Sequence, residues 1–100
     1  MDVQLKKGML DLMVLASLKY EDSYGYLINQ SLNEVFIVSE STLYPILRRL
    51  EKQGLVTTYD TIHNSRLRRY YRISETGKEK LGQSRTLFRE LKKIYDYILR

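Results

Sequence analysis

Residues 39–56, SESTLYPILRRLEKQGLV, decide how this chain folds. Ser39 is a helix N-cap residue, and Glu40 sits well at the positive end of a helix dipole. Leu43, Ile46, Leu47 and Leu50 recur at the three- and four-residue spacing of one buried helix face. Ser41, Thr42, Tyr44, Arg48 and Lys52 lie largely on the other side. Pro45 has no N–H to give the Ser41 carbonyl, so it is expected to be tolerated within the first two turns with a local bend. Gly54 suits the position just past a helix end, and Leu55-Val56 leads straight into a strand.

Working outward, Leu55–Asp60 and Leu67–Ile73 read as two antiparallel strands rich in Thr, Tyr, Val and Ile, with Thr61–Arg66 as the connecting loop around Asn64-Ser65. In the second strand Leu67, Arg69, Tyr71 and Ile73 share one face, which Leu67 and Ile73 bias inward; Arg68, Tyr70 and Arg72 share the other. Upstream, Asp22-Ser23 is positioned to cap a helix over Tyr24–Glu34, with Ile28, Leu32 and Val35 at core spacing and Asn29, Gln30 and Asn33 facing away. Gly25 in its first turn costs about 1 kcal/mol against alanine in a helix interior. Close approach of a neighbouring helix explains it, and so does a frayed terminus.

The first helix covers roughly Leu5–Leu18. Leu5, Met9, Leu12, Met13 and Ala16 make one stripe, and Leu10, Val14, Leu15 and Leu18 fill most of the rest. A helix this apolar is covered on more than one side, which in a chain of 100 residues suggests a partner subunit. Asp11 interrupts it; a solvent-facing or capping role is expected. Ser74-Glu75 caps a last helix running almost to Arg100, about 39 Å for some 26 residues. Leu87, Leu91, Ile94 and Ile98 form its apolar stripe, which Phe88, Tyr95 and Leu99 widen. Packing back on its own core is the plain reading; a dimerisation helix is preferred because the first helix also has apolar surface to spare.

The net charge is +5, and residues 39–73 carry seven Lys/Arg against three acids, so +4 of it lies there. Concentrated basicity favours a polyanionic partner. A short helix fits the DNA major groove with its N-terminal side chains at base edges, here Ser41, Thr42, Tyr44 and, one turn on, Arg48. Arg48 has the fork that pairs with guanine. Arg66 and Arg68 of the hairpin suit backbone or minor-groove contacts, which supply salt-sensitive affinity. There is no cysteine, hence no disulfide, thiolate nucleophile or cysteine-based zinc site. No window reaches the roughly 20 apolar residues of a membrane span, and Asp2 argues against a signal peptide, so a cytoplasmic protein is expected. No catalytic residue, metal-ligand cluster or cofactor motif stands out. The single histidine, His63, falls in the expected hairpin loop.

Four segments in order resemble the PadR family of bacterial transcriptional regulators. They are LKKGMLDLMVLASL (5–18), DSYGYLI (22–28), the 39–56 stretch with its Thr-Leu-Tyr-Pro core, and SRLRRYYRISETGKEKL (65–81). The resemblance implies a homodimeric winged helix-turn-helix repressor, often released by a small molecule or stress signal. By position it implies DNA contact by Tyr24, Ser41, Thr42, Tyr44, Arg48, Arg66 and Arg68, and it makes Pro45 a regular feature of the recognition helix. The single C-terminal helix is similar to the family's compact branch, in which that helix makes the dimer. Ser41 stands where glycine is common. Ser65 and Leu67 replace a frequent Gly and Pro, so a more mobile hairpin tip is expected. Some compact members stack a flat aromatic effector on a tryptophan, which this chain lacks. Tyr95, with Met9 and Met13, is the candidate lining of such a pocket, although Tyr95 and Tyr97 are equally explained as packing and surface residues.

The expected architecture is mainly α with a small two-stranded antiparallel wing. Residues 1–73 would form the winged helix-turn-helix, and 74–100 a dimerisation helix carrying Leu87, Phe88, Leu91, Ile94, Tyr95 and Ile98 at its interface. The expected partners are double-stranded DNA, a second copy and a small aromatic effector. Two rival classes share this fold: a protein-interaction module, and a ligand-binding dimer without operator preference.

Overall fold

The computed structural model describes residues 1–100. The element order is α1 (Val3–Ser17), β1 (Ser23–Tyr24), α2 (Gly25–Asn33), α3 (Glu40–Lys52), β2 (Val56–His63), β3 (Arg66–Ile73) and α4 (Glu75–Ile98). Three of the four helices start on a side-chain cap: the Asp2 carboxylate accepts from Leu5 N, the Ser39 hydroxyl from Thr42 N and the Ser74 hydroxyl from Gly77 N. α2 is the exception. Asp22-Ser23 does not cap it; its N-cap is Tyr24, without a side-chain bond, because Ser23-Tyr24 is drawn into the sheet.

That third strand corrects the two-stranded wing. The order is β1-β3-β2, all antiparallel, with Tyr24 opposite Tyr70 and Tyr70 opposite Tyr59. The expected six-residue loop is also corrected. The strands pair out to His63 and Arg66, leaving only Asn64-Ser65 as a tight turn. Both turn residues have positive φ, 50° and 63°, as a type I′ hairpin requires. A serine there carries a left-handed cost that glycine escapes. Ser65→Gly is therefore expected to stabilise the fold by about 0.5–1 kcal/mol, net of glycine's larger unfolded-state entropy. A thermal melt showing no gain would mean the hydroxyl itself holds the turn.

One core of fifteen buried apolar residues joins the elements. The α3 stripe Leu43, Ile46, Leu47 and Leu50 is wholly buried, as its spacing predicts, against Leu10, Val14, Leu15 and Leu18 of the α1 segment and Ile28 and Leu32 of α2. α3 continues through Pro45 to Lys52. Val35 and Leu67 are corrections, at 73% and 71% exposed. Helix α2 ends at Asn33, so Val35 leaves the helical register and Val38 enters the core instead. Leu67 lies beyond the part of the hairpin that covers the helices. Asn29 and Asn33 do not face away. Their side-chain amides donate to the Val38 carbonyl at 2.8 and 3.1 Å, and the Asn33 Oδ1 accepts from Val38 N at 2.7 Å. Two asparagines thus hold the α2–α3 turn and fix how α3 leaves it.

Asp11 is neither solvent-facing nor capping: it pairs with Arg49 across α1 and α3, with both side chains largely covered. Helix α4 does not pack back on the core over its length. Gly77 is buried at its start, but every residue from Arg85 to Arg100 is exposed. The molecule is accordingly 55 Å long and only 27 by 21 Å across. No helix is long and apolar enough to cross a membrane.

Candidate nucleic-acid interface

The outer face of the sheet begins with a stack that strand pairing dictates. Tyr24, Tyr70 and Tyr59 sit side by side across β1, β3 and β2, with ring centroids 5.5 and 5.7 Å apart. Arginines cover the outer two. The Arg68 guanidinium lies 4.3 Å from the centre of Tyr24, and that of Arg72 5.1 Å from Tyr59. Such cation–π contacts hold a flexible arginine in place without spending its charge. Asp22 closes one end: its carboxylate accepts from the Tyr59 hydroxyl at 2.7 Å and from Arg72 at 3.0 and 3.1 Å. Burial pushes the Asp22 carboxyl up, but the hydrogen bonds from Tyr59 and Arg72 outweigh it and hold the pKa below its ordinary value. The net effect is to neutralise Arg72 and leave Arg68 without an acid partner.

The recognition-helix candidates meet this wing. Tyr24, Gly25, Tyr44, Arg48, Arg68, Arg69 and Tyr71 line an open cleft of about 390 Å³ between α3 and the sheet. Gly25 is explained by close approach: a Cβ there would stand 2.7 Å from the Tyr44 hydroxyl oxygen. The absent side chain lets Tyr44 lie across the start of α2, so Tyr44 is part packing residue and only 38% exposed. Ser41 and Thr42 are exposed at the head of α3, but their hydroxyls already contact that of Ser39 at 2.9 and 3.0 Å. They are held in a cap network at the start of α3. Arg48 is exposed and unpaired, one turn below. Arg66 and Arg68 also border a second cleft with Tyr24, Tyr26 and Leu67 near the hairpin tip.

Five of the seven candidates, Tyr24, Tyr44, Arg48, Arg66 and Arg68, thus line two adjoining clefts, while Ser41 and Thr42 stand at the head of α3, where Thr42 borders a separate groove against α1. Strand pairing adds Tyr59, Tyr70, Asp22 and Arg72 as a supporting layer. It was hidden in the sequence because the two-residue turn that sets the register carries no glycine. No group of His, Cys, Asp and Glu is gathered in a way that would hold a metal ion. Of the candidate effector lining, Met9 and Met13 do come together, with Leu12, Phe36, Leu81 and Phe88, around an apolar groove of about 350 Å³ between α1 and α4. Tyr95 does not line that groove. It stands seven residues, about 10 Å, further along α4.

Comparison with known proteins agrees with the winged helical fold. Residues 14–83 match the model of the transcriptional regulator PadR-like family. A transcriptional regulator of Mycobacterium tuberculosis is 30% identical over 89 residues, covering 88% of this chain and 83% of that protein. The crystal structure of a PadR-like transcriptional regulator from Bacillus cereus is 28% identical, with a TM-score of 0.86 over 97% of each chain. Bacillus subtilis PadR, solved in complex with operator DNA, shares the fold at a TM-score of 0.68 over 74% of this chain and 45% of that one, with 24% identity.

Proposed function

Since the chain belongs to the PadR-like family of transcriptional regulators, we propose that it binds a palindromic operator as a homodimer and represses the genes behind it. The observation that carries this is the cleft in which Arg48, Arg68 and Arg69 surround Tyr24 and Tyr44. It joins the outer face of α3 to the wing and presents a continuous basic surface beside the helix. Helix α3 would enter the major groove, with Ser41, Thr42 and Arg48 toward base edges and Tyr44 toward the backbone. The wing would follow the neighbouring phosphates through Arg66 and Arg68, the latter already oriented by Tyr24. Bacillus subtilis PadR, which shares the fold, was solved in complex with operator DNA, and that supports DNA as the partner.

Pairing is supported by α4. Leu87, Phe88, Leu91, Ile94, Tyr95 and Ile98 are between 41% and 68% exposed, a run of apolar surface that a second copy would cover. Two copies related by a two-fold axis would set two α3 helices on one face of the duplex. Residues 1–73 would then be the reading unit and 74–100 the pairing helix. An apolar effector in the Met9–Met13–Phe88 groove would act by changing the angle between the two α3 helices, since α1 and α4 form its walls. The chain would act in the cytoplasm, where its operator lies.

The test is binding to the promoter upstream of its own gene and to a scrambled duplex, across a salt series. Tight preference with a steep salt slope is expected. Arg48→Ala should weaken the preferred duplex by about 1–3 kcal/mol and narrow the gap to the scrambled one. An unchanged gap would remove Arg48 from base reading. Equal, salt-insensitive binding to both duplexes would instead favour a protein-docking role for this surface.

A further inference from the structure

A helix lying in a major groove has a phosphate strand on each side of it. The outer surface of α3 accordingly has two flanks, and they are not alike. Tyr44 and Arg48 face the wing, where Arg68 and Arg69 stand. Thr42, Pro45 and Arg49 face the other way, into a groove of about 470 Å³ whose opposite wall is the start of α1, with Val3, Lys6, Lys7 and Leu10. Only the first flank was anticipated from the sequence, in which the first helix reads purely as core and dimer surface.

The second flank carries the chemistry of a phosphate contact. Arg49 is not free for it, being paired with Asp11. That pairing also neutralises Asp11. Lys6 and Lys7 remain, and neither is paired with a carboxylate. Lys7 is exposed and Lys6 half-buried, its ammonium 5.8 Å from the centre of the Phe36 ring. A contact of that kind is weak at a surface, so it steers the side chain without holding it against a stronger partner. Both lysines line the same groove as Thr42 at the head of α3.

We infer that Lys6 and Lys7 of α1 grip the phosphate strand on the side of α3 away from the wing, so that the recognition helix is clamped from both sides. This rests on the reading that α3 enters the major groove. A lysine ammonium contacts phosphate as a point charge, without base preference, so the pair would add affinity and orientation and leave sequence choice to α3. It also gives α1 a second role, since the helix that walls the apolar groove with its Met9–Met13 face would touch DNA with its first two turns. A tilt of α1 would then be felt directly at the duplex.

The experiment uses the full chain and a short mixed-sequence duplex, so no operator need be known. Wild type, Lys6→Gln/Lys7→Gln and Lys6→Arg/Lys7→Arg are titrated across a salt series, with a thermal melt of each. Two lost phosphate contacts should reduce the slope of log K against log salt by about 1.8 in the glutamine pair, and affinity near about 0.1 M salt roughly 10- to 100-fold. The arginine pair should keep the wild-type slope. Should the glutamine pair melt lower, Lys7→Gln alone carries the test, with a loss of about 0.9 in slope. A wild-type slope in the glutamine variants would overturn the α1 contact and leave the DNA reading standing. A wild type with no salt slope at all would overturn both.

Discussion

Gly77→Ala is expected to lower the melting temperature by roughly 15 °C, a cost of about 3 kcal/mol at the upper end of overpacking in a domain of this size. An added Cβ would fall far inside contact distance of the Leu55 carbonyl oxygen and 2.8 Å from Ile73 Cγ1. Neither neighbour can retreat cheaply. The Leu55 carbonyl accepts from Ser74 N at 3.0 Å, and the Ser74 hydroxyl donates to the Gly54 carbonyl at 2.6 Å while accepting from Gly77 N. Gly54 has a φ of 76°, so that corner cannot easily be rebuilt. The end of α3 and the start of α4 are pinned together there. Gly82→Ala is the internal control: nothing stands within 4 Å of its Cβ position, so alanine should stabilise the helix by about 1 kcal/mol. Circular-dichroism melts of the two variants decide the matter, and a Gly77→Ala protein melting within a few degrees of wild type would show that the corner yields.

Leu91→Glu carries the second large effect. In the single chain Leu91 is 41% exposed within a stretch of α4 where every side chain is exposed, so the carboxylate costs the protomer little. In a pair of α4 helices it would bury a charge on each side of a two-fold axis without a partner, a penalty counted in several kcal/mol per site. The variant should sediment as a monomer with unchanged helix content. Its binding to a two-half-site duplex should fall by 10²-fold or more, because the second half-site no longer gains from the first. Binding to one isolated half-site should barely change. A variant that keeps the wild-type mass and affinity would show that α4 does not make the pair.

The third helix was the most legible part of the chain. Its cap, its three core leucines and one isoleucine and its glycine stop each follow from local chemistry, and tertiary packing agrees with all of them. Legibility failed where a distant strand or helix decides the outcome. Nothing near Ser23-Tyr24 announces a strand, because its partner is Tyr70-Tyr71, some 46 residues away. The turn at Asn64-Ser65 lacks the glycine by which a type I′ hairpin is usually known, so the register was lost and with it the Tyr24–Tyr70–Tyr59 row. Val35 continued a core periodicity past the point at which Asn33 bonds to Val38 and ends the helix. Asp11 looked anomalous only because its partner, Arg49, lies 38 residues on. Among the site residues, those on α3 and the wing could be chosen from charge and spacing. Lys6 and Lys7 could not, because their relevance depends on where α1 crosses α3.

The Asp11–Arg49 pair bears on any attempt to redesign the exposed face of α3. The Arg48-Arg49 doublet looks like two interchangeable basic residues, yet one points outward and the other bolts the helix to α1. A recognition helix transplanted from a relative would have to keep arginine at 49, or bring a replacement for Asp11 with it, or it would leave a covered carboxylate stranded. Tyr44 is constrained in the same way, by the space that Gly25 leaves. Ser41, Thr42 and Arg48 are the positions at which such a library can vary while the framework stays whole.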